Sequence, residues 1–229
     1  MVKRIPRKEI KEDRFLDLFS RILHAASRKI GLLIGLLVLA LLIGGTGLGA
    51  YLYYVREEKR ALAMLEEANL IYYQVGPFRK NGGFENRAIE IYQSLINRYP
   101  YSRAAEEALL RMANLYLHTS RFEKARGEFN RYLERYPRGR FVSFSWLGMA
   151  YAYEGEGNYL KSAEAFSRII TDYPKGPMKG EASMGLGRSY EALGKKEQAI
   201  EVYNRLSKEL SGSYYGELAR RRLVIIKGS

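Results

Sequence analysis

Hydrophobic and polar positions divide the chain into two differently patterned parts. Residues 30–54 contain no Asp, Glu, Lys or Arg, and as a helix these 25 residues would be about 37 Å long, against a membrane hydrocarbon thickness of about 30 Å. From residue 55 onwards, apolar residues recur at i, i+3, i+4 and i+7, which predicts amphipathic helices. We therefore predict an all-α chain with a cytoplasmic segment at 1–29, a transmembrane helix at 30–54 and a helical domain at 55–229.

The helical domain contains an internal repeat of 37 residues. Three Tyr-Pro pairs lie at this spacing, namely Tyr99-Pro100, Tyr136-Pro137 and Tyr173-Pro174. Five further columns share it: Met112/Met149/Leu186, Ala113/Ala150/Gly187, Tyr116/Tyr153/Tyr190, Ser120/Gly157/Gly194 and Phe129/Phe166/Tyr203. Repeats of this length stack so that each unit buries an apolar face against its neighbour, and the product is normally a scaffold.

Each repeat is predicted to be a pair of antiparallel helices. One first helix covers 104–118, where Leu109, Met112, Ala113 and Tyr116 form a single buried stripe. The second helix covers 122–136, burying Phe122, Ala125, Phe129 and Tyr132. It ends before Pro137, because proline lacks the backbone N–H that a continuing helix needs. The column of Ser120, Gly157 and Gly194 predicts the turn between the two helices.

Helices are also predicted on both sides of the repeats. Residues 55–74 form the earlier helix, with Leu62, Leu65, Ala68 and Tyr72 on one face. The glycines and proline of residues 75–84 then predict a loop that reverses the chain. Residues 214–227 predict a final capping helix that covers the last repeat with Leu218, Leu223 and either Ile225 or Ile226.

These columns resemble the tetratricopeptide repeat family. The family pattern is a large residue, Leu-Gly/Ala and Tyr on the first helix, followed by Gly, Ala, an aromatic residue and Pro. The matching positions are Trp146, Met149-Ala150, Tyr153, Gly157, Ser162, Phe166 and Pro174, then Leu186-Gly187, Tyr190, Gly194, Ala199 and Tyr203, with Ser211 in place of the last proline. The resemblance covers residues 69–211 and implies a right-handed helical-hairpin solenoid of about 3.5 repeats plus a capping helix.

In such a solenoid the first helices line a concave surface that contacts partners. The candidate partner-binding residues beside the buried stripes are Leu110, Asn114, Leu117, His118, Phe144, Leu147, Tyr151, Met184 and Arg188. This surface is predicted to be mostly apolar and aromatic, which suits an extended or helical protein segment.

The charges around residues 30–54 predict the orientation of the membrane helix. Residues 1–29 contain nine Lys/Arg and four Asp/Glu, so the positive-inside rule places the N-terminus in the cytoplasm and residues 55–229 across the membrane. A cleaved signal peptide is the alternative. The 29-residue charged lead is long for a signal sequence, which favours a retained anchor.

Two further features lie in or near this helix. Gly31/Gly35 and Gly45/Gly49 have the spacing that permits close helix approach in a bilayer; they indicate either a glycine-tolerant helix or a docking face for another membrane protein. Ahead of the span, Asp13 is predicted to cap an amphipathic helix with Phe15, Leu18, Phe19, Ile22 and Leu23 on one face. That helix would lie on the membrane surface, with disorder or a cytoplasmic partner site as alternatives.

Composition excludes several kinds of chemistry. The chain has no cysteine, which excludes disulfides, a thiol nucleophile and a lipid-modified N-terminal cysteine. His24 and His118 are the two histidines, and neither has a second histidine at helical spacing, so no metal site, catalytic triad or cofactor is predicted. The net charge of +13 is spread over mixed helix faces, which argues against nucleic acid. We interpret the cluster Arg220-Arg221-Arg222 as part of a solvated helix face, with a binding site for an anionic partner as the alternative.

The order of a short basic lead, one span and exported repeats resembles the ancillary subunit family of the SecYEG translocon. That resemblance implies a non-enzymatic adaptor in a bacterial inner membrane, with its repeats in the periplasm. Its partners would be the secretion channel, periplasmic chaperones or exported client proteins. The alternative is scaffolding, because the repeats also resemble those of outer-membrane β-barrel assembly lipoproteins and of the Tol-Pal coordinator. The missing cysteine argues against the lipoprotein version.

Overall fold

The computed structural model describes residues 7–75 and 82–228, and this part of the chain is helical, without strands. The helices are α1 (Arg7–Val75), α2 (Gly82–Arg98), α3 (Arg103–His118), α4 (Phe122–Arg135), α5 (Val142–Gly155), α6 (Tyr159–Asp172), α7 (Lys179–Ala192), α8 (Lys196–Glu209) and α9 (Tyr214–Gly228). The chain divides into two compact units, Met1–Arg56 and Glu57–Ser229.

In the first unit, the apolar segment is exposed around its whole circumference. Every residue of 30–54 is exposed, and within the described residues α1 is the one helix long and apolar enough to cross a membrane. This helix begins at Arg7, so the prediction that Asp13 caps its start is wrong. Of the predicted amphipathic face, Leu18, Phe19 and Ile22 are exposed. The side chains of Asp13, Phe15 and Leu23 lie outside the described residues.

The second unit begins with the C-terminal part of α1, which pairs with α2. Its buried positions are Ala61, Leu65 and Ala68, spaced by four and three residues as one helix face requires. Leu62 was predicted on this face but is 47% exposed, because the next residue along a helix points about 100° away. Gly82 and Gly83 belong to α2 rather than to a loop. Residues 76–81 of the predicted loop lie outside the described residues.

Three hairpins follow, α3/α4, α5/α6 and α7/α8, at the predicted 37-residue spacing. Their aromatic column is fully buried in Phe129, Phe166 and Tyr203. Ala113 and Ala125 are also fully buried, in one cluster with Phe129, so small side chains let the paired helices approach closely. The first and second helices end within about one residue of the predicted boundaries.

The turns inside the three hairpins have the same backbone geometry. Ser120, Gly157 and Gly194 have φ angles of 57°, 75° and 71°, in the left-handed region that glycine enters without steric cost. The next backbone N–H donates back to the carbonyl of the tyrosine column, from Arg121 to Tyr116 at 2.8 Å and from Lys195 to Tyr190 at 2.8 Å. This six-to-one hydrogen bond is the Schellman ending of a helix.

Helix α9 covers the last hairpin. Ala219, Leu223 and Ile226 are buried against Tyr203 and Leu206 of α8. Of the two isoleucines considered from the sequence, Ile226 faces the core and Ile225 is exposed. The solenoid therefore ends on a single capping helix, whose outer face carries the exposed Val224 and Ile225 besides charged residues.

Candidate functional site

Consecutive hairpins stack closely where a phenylalanine ring lies against a glycine. A Cβ added to Gly148 of α5 would lie 2.1 Å from the Cζ of Phe129 in α4. The same relationship recurs one repeat later, where a Cβ on Gly185 of α7 would lie 2.3 Å from the Cζ of Phe166 in α6. Neither glycine has room for a side chain. The first helices α5 and α7 are therefore held directly on the preceding second helices.

At both ends of the repeat array, the interface between a second helix and the next first helix is built from other residue types. The column of Gly148 and Gly185 is occupied by Arg111 in α3 and Arg222 in α9, each at a spacing of 37 residues. The preceding second helices then carry tyrosines instead of phenylalanines. The hydroxyl of Tyr92 donates to Asn69 Oδ1 at 2.7 Å, and that of Tyr203 donates to Glu191 Oε1 at 2.6 Å.

Side chains of successive first helices are joined by hydrogen bonds between ionised and polar groups. Between α5 and α7, Arg188 donates through Nε and Nη2 to the two carboxylate oxygens of Glu154, each at 3.0 Å. The Tyr151 hydroxyl donates to Glu181 Oε1 at 2.6 Å. Bidentate arginine–carboxylate pairs fix both distance and orientation, so these contacts lock α7 onto α5.

The junction between α7 and α9 is centred on the Glu191 carboxylate. It accepts hydrogen bonds from Arg222 Nε at 2.8 Å, from Arg222 Nη2 and from the Tyr203 hydroxyl at 2.6 Å. Burial by itself would raise the pKa of the Glu191 carboxyl, but the hydrogen bonds from Arg222 and Tyr203 lower it. Arg222 therefore belongs to this junction, which corrects its interpretation as part of a solvated or anion-binding cluster.

Helix α3 carries an arginine–glutamate pair within itself. Arg111 donates to Glu107 Oε1 from Nε at 2.8 Å and from Nη2 at 2.6 Å. A third nitrogen, Nη1, donates to the Tyr73 hydroxyl of α1 at 3.2 Å. The face formed by the first helices is therefore crossed by arginine, glutamate and tyrosine contacts, and the prediction of a mostly apolar and aromatic surface is wrong.

Three of the nine predicted partner-binding residues belong to the core. Leu110 and Leu147 are each 8% exposed and Met184 is 4% exposed. Leu110 packs in the cluster of Phe129, Leu147 in that of Phe166 and Met184 in that of Tyr203. The stacking of neighbouring hairpins covers these side chains, so they are not available to a partner.

The other six predicted residues keep some solvent exposure. Phe144 is 39% exposed and its ring meets Phe141 edge-on, with centroids 6.1 Å apart. His118 is exposed, and the half-buried residues are Asn114, Leu117, Tyr151 and Arg188. Arg188 is engaged by Glu154, as described above. Six of the nine predicted residues thus keep solvent exposure, and they lie on α3, α5 and α7.

The membrane-segment glycines have open surroundings. A Cβ on Gly31, Gly35, Gly45 or Gly49 would meet no atom within 4 Å. Their role in helix contact stays a prediction.

An open cavity lies where α4 connects to α5. Its volume is about 650 Å³, and its lining residues are Arg103, Glu106, Tyr136, Pro137, Arg138, Gly139 and Arg140. The Glu106 carboxylate accepts a hydrogen bond from the Tyr132 hydroxyl at 2.6 Å and lies 3.6 Å from Arg140 Nε. The cavity wall is therefore predominantly cationic.

No metal site was found in the described part of the chain. Within residues 7–75 and 82–228, no three His, Asp or Glu side chains are grouped to hold a metal ion. The carboxylates of Glu107, Glu154 and Glu191 are already bound by arginines.

Comparison with known families and structures identifies the repeats. One family model described as Tetratricopeptide repeat matches residues 107–138, and another with the same description matches residues 147–213. The chain carries tetratricopeptide repeats. Such repeats are typically non-enzymatic scaffolds that bind other proteins, so the repeat domain is a protein–protein interaction module.

Solved structures agree with this fold. The TPR-like repeats of a Podosopora anserina protein described as a kinesin light chain superimpose with a TM-score of 0.57 at 16% identity, covering 74% of this chain and 85% of that one. A tetratricopeptide repeat protein from Parabacteroides merdae gives 0.55 at 15% identity, covering 72% and 61%. MamA from Desulfovibrio magneticus RS-1 gives 0.50 at 13%, covering 72% and 94%. No curated protein sequence matches the chain.

Sequence reasoning missed the ion pairs between successive tetratricopeptide repeats. Glu154 and Glu191 lie 37 residues apart and so occupy one repeat column, and each is bound by an arginine of the next first helix. That spacing could have identified the two carboxylates as a repeated feature. Their partners Arg188 and Arg222 lie in different columns, and only the packing of the helices reveals them.

Proposed function

We propose that this chain is a single-pass membrane-anchored adaptor whose tetratricopeptide repeats bind protein partners at the outer face of a bacterial inner membrane. There it assists the secretion or folding of exported proteins. The observation that carries the proposal is the combination, in one chain, of repeats with a fully exposed uncharged helix segment at 30–54.

Exposure of the apolar segment supports the anchor. Large apolar side chains cover this segment on all sides, and none of the residues in its most apolar window is buried. A soluble protein rarely exposes so large a contiguous apolar surface, since water disfavours it. Lipid tails would cover that surface, and the excess of Lys/Arg in residues 1–29 supports a cytoplasmic N-terminus.

Partner binding is assigned to the first-helix patch, defined as Asn114, Leu117, His118, Phe144 and Tyr151. Phe144 and Tyr151 lie 37 residues after Glu107 and Asn114, so they occupy matching columns on the neighbouring helices α5 and α3. The patch offers an aromatic anchor at Phe144 on α5 and polar groups at Asn114 and His118 on α3. A short helical or extended protein segment is read by such anchors.

The adaptor proposal is tested by capture of partners from gently solubilised membranes. Phe144→Asp is expected to reduce partner capture at least about tenfold, because a carboxylate on the anchor must be desolvated on binding. The matched control is Leu160→Asp, which changes an exposed apolar residue of α6. Equal capture by wild type and Phe144→Asp would overturn the assignment to this patch.

Partner identity separates the two candidate functions. A secretion channel, periplasmic chaperones or exported clients among the captured proteins would support the secretion role. Outer-membrane assembly or Tol-Pal proteins without a secretion channel would support envelope scaffolding instead.

The proposed orientation is tested by protease treatment of spheroplasts. Digestion of residues 55–229 from outside is expected, and protection of that fragment would overturn the periplasmic placement.

A further inference from the structure

Three connections from a second helix to the next first helix, α2–α3, α4–α5 and α6–α7, combine exposed cations with a lack of acidic residues. Residues 99–103, 136–141 and 173–178 contain no Asp or Glu. They carry four exposed cationic side chains and one tyrosine that is 90% exposed, and we call these residues the basic turn edge: Tyr101, Arg103, Arg138, Arg140 and Lys175. Among the turns at the other end of the hairpins, residues 156–158 include Glu156, whereas residues 119–121 and 193–195 also lack Asp and Glu and carry one cation each.

The cations of this edge are poorly neutralised. Within residues 7–75 and 82–228, no carboxylate contacts the side chains of Arg103, Arg138 or Lys175. Arg140 has two distant partners, Glu106 at 3.6 Å and Glu107 at 3.8 Å. This contrasts with Arg111, Arg188 and Arg222, which are held by carboxylates at 3.0 Å or less. The basic turn edge therefore keeps free positive charge.

Three of these arginines surround one opening. Arg103, Arg138 and Arg140 line the cavity of about 650 Å³ described above. Its one carboxylate, Glu106, is already hydrogen-bonded by Tyr132. Guanidinium groups donate paired hydrogen bonds in the geometry that a phosphate accepts, so the cavity suits a phosphate-bearing group.

Arg103 is hydrogen-bonded to a residue that closely follows the uncharged segment in sequence. The backbone N–H of Arg103 donates to both carboxylate oxygens of Glu58, each at 3.1 Å. Tyr54, the last residue of the uncharged segment, precedes Glu58 by four residues, which span at most about 14 Å even when fully extended. This bound follows from the covalent chain alone. If residues 30–54 cross a bilayer, this bound applies to Glu58, which holds Arg103, whereas Arg138, Arg140 and Lys175 lie one and two repeats further along the chain.

Tyr101 fits the same environment. Its side chain is nearly fully exposed in the turn before Arg103, although tyrosine rings normally pack when a core is available. Tyrosines are enriched where membrane and water meet, since the ring is apolar and the hydroxyl remains hydrated.

We propose that the basic turn edge docks on anionic phospholipid headgroups of the membrane that holds residues 30–54, with a lipid phosphate in the cavity of Arg103, Arg138 and Arg140. This proposal rests on the membrane anchor of the proposed function. Docking holds the repeats against the membrane surface by attraction to anionic lipid.

The absence of cysteine makes a direct test practical, since one introduced thiol carries one probe. The full chain with Tyr101→Cys is labelled with a fluorophore and placed in nanodiscs that contain a headgroup-nitroxide lipid as quencher. One set of nanodiscs is phosphatidylcholine, and the other is phosphatidylcholine and phosphatidylglycerol in equal parts. The control probe is at Glu123→Cys, an exposed position at the opposite end of a hairpin.

In the phosphatidylglycerol nanodiscs, we expect the probe at position 101 to be quenched and the probe at position 123 not to be quenched. Arg138→Gln is expected to lower the ratio of docked to undocked chains roughly fivefold, as for one basic residue at an anionic surface. Raised salt weakens docking through charge screening. Arg138 has no carboxylate partner among the described residues, and circular dichroism checks that the variant stays folded.

Several results would overturn the docking proposal. One is equal quenching at positions 101 and 123. Another is quenching at position 101 that is the same with and without phosphatidylglycerol, or the same in wild type and Arg138→Gln. If the probe at position 101 is not quenched in nanodiscs but its fluorescence changes when polyglutamate is added, the basic turn edge would instead bind acidic protein segments. Failure of the full chain to enter nanodiscs would count against the anchor itself, whereas entry without quenching at 101 refutes only the docking.

Discussion

The ring of Phe129 occupies the space that a side chain at residue 148 would need. Its Cζ lies 2.1 Å from the position of a Cβ on Gly148, and Phe166 is related to Gly185 in the same way at 2.3 Å. Where the glycine column carries arginine, at Arg111 and Arg222, the preceding aromatic residue is tyrosine. The hairpin interfaces therefore come in two versions, an apolar ring on glycine and a hydrogen-bonded tyrosine beside an arginine.

This contact predicts that Gly148→Ala destabilises the repeat domain. The added methyl group must displace a buried ring, and overpacking of a close-packed core costs about 1–3 kcal/mol. Thermal unfolding of the full chain in mild detergent, followed by circular dichroism, measures the loss.

The matched control for this prediction is Gly127→Ala. Gly127 is exposed inside α4 and a Cβ there meets no atom within 4 Å, so alanine is expected to stabilise by about 0.5–1 kcal/mol through its better helix propensity. A shift of the same sign in both variants would contradict the packing argument.

The turn column predicts that Ser120→Gly stabilises the first hairpin. Ser120 has φ of 57°, where its counterparts in the other hairpins are glycines. A non-glycine residue in the left-handed region is strained by about 1 kcal/mol or more, part of which the greater freedom of glycine in the unfolded chain offsets. We expect a small rise in melting temperature for Ser120→Gly and a fall for the reciprocal Gly157→Ser; a rise in both would be inconsistent with this account.

A buried hydroxyl predicts a second stabilising change, Ser145→Ala. Ser145 is fully buried in α5, and its Oγ has no hydrogen-bond partner within the described residues. Removing an unsatisfied buried polar group is expected to stabilise by about 1 kcal/mol.

Ser189→Ala is the comparison for that change. Ser189 is equally buried, but its hydroxyl donates to the Gly185 carbonyl at 2.9 Å and lies 3.2 Å from the Ser162 hydroxyl. This variant is expected to be neutral or destabilising, because the Ser162 hydroxyl loses its partner. Stabilisation by Ser189→Ala and not by Ser145→Ala would refute the distinction.

The buried tyrosines predict loss of stability at alkaline pH. Burial first, and hydrogen bonding to a carboxylate second, raise the pKa of Tyr132, Tyr151 and Tyr203 above the ordinary value of 10.0. Above pH 10 the unfolded chain therefore loses phenolic protons that the folded chain retains. The contribution of these groups is fully present below that pH and declines as pH rises.

Tyr203→Phe isolates one of these groups. Melting temperatures measured from neutral pH to above pH 10 should fall less steeply for this variant than for wild type, because one titrating hydroxyl is gone. Parallel curves would mean that Tyr203 ionises equally in both states.

The hydrophobic spacing predicted helix boundaries well, but it did not predict which side chains remain accessible. The stripe from Leu109 to Tyr116 follows from the helical period, and the positions of α3 and α4 agree with it. Leu110 lies beside that stripe, so the sequence placed it on a surface. Its burial depends on how closely α5 stacks on α4, which the contact of Phe129 with Gly148 sets.

The sequence by itself determined the repeat length, the helix pairs, the turn column and the uncharged segment. Each is a local or periodic property, fixed by backbone propensity and by the spacing of apolar residues. Only the tertiary structure decided that Leu110, Leu147 and Met184 are core residues, and that Arg188 and Arg222 bind carboxylates of a neighbouring first helix. Those facts arise between side chains some thirty residues apart, whose meeting depends on the distance and rotation between stacked hairpins.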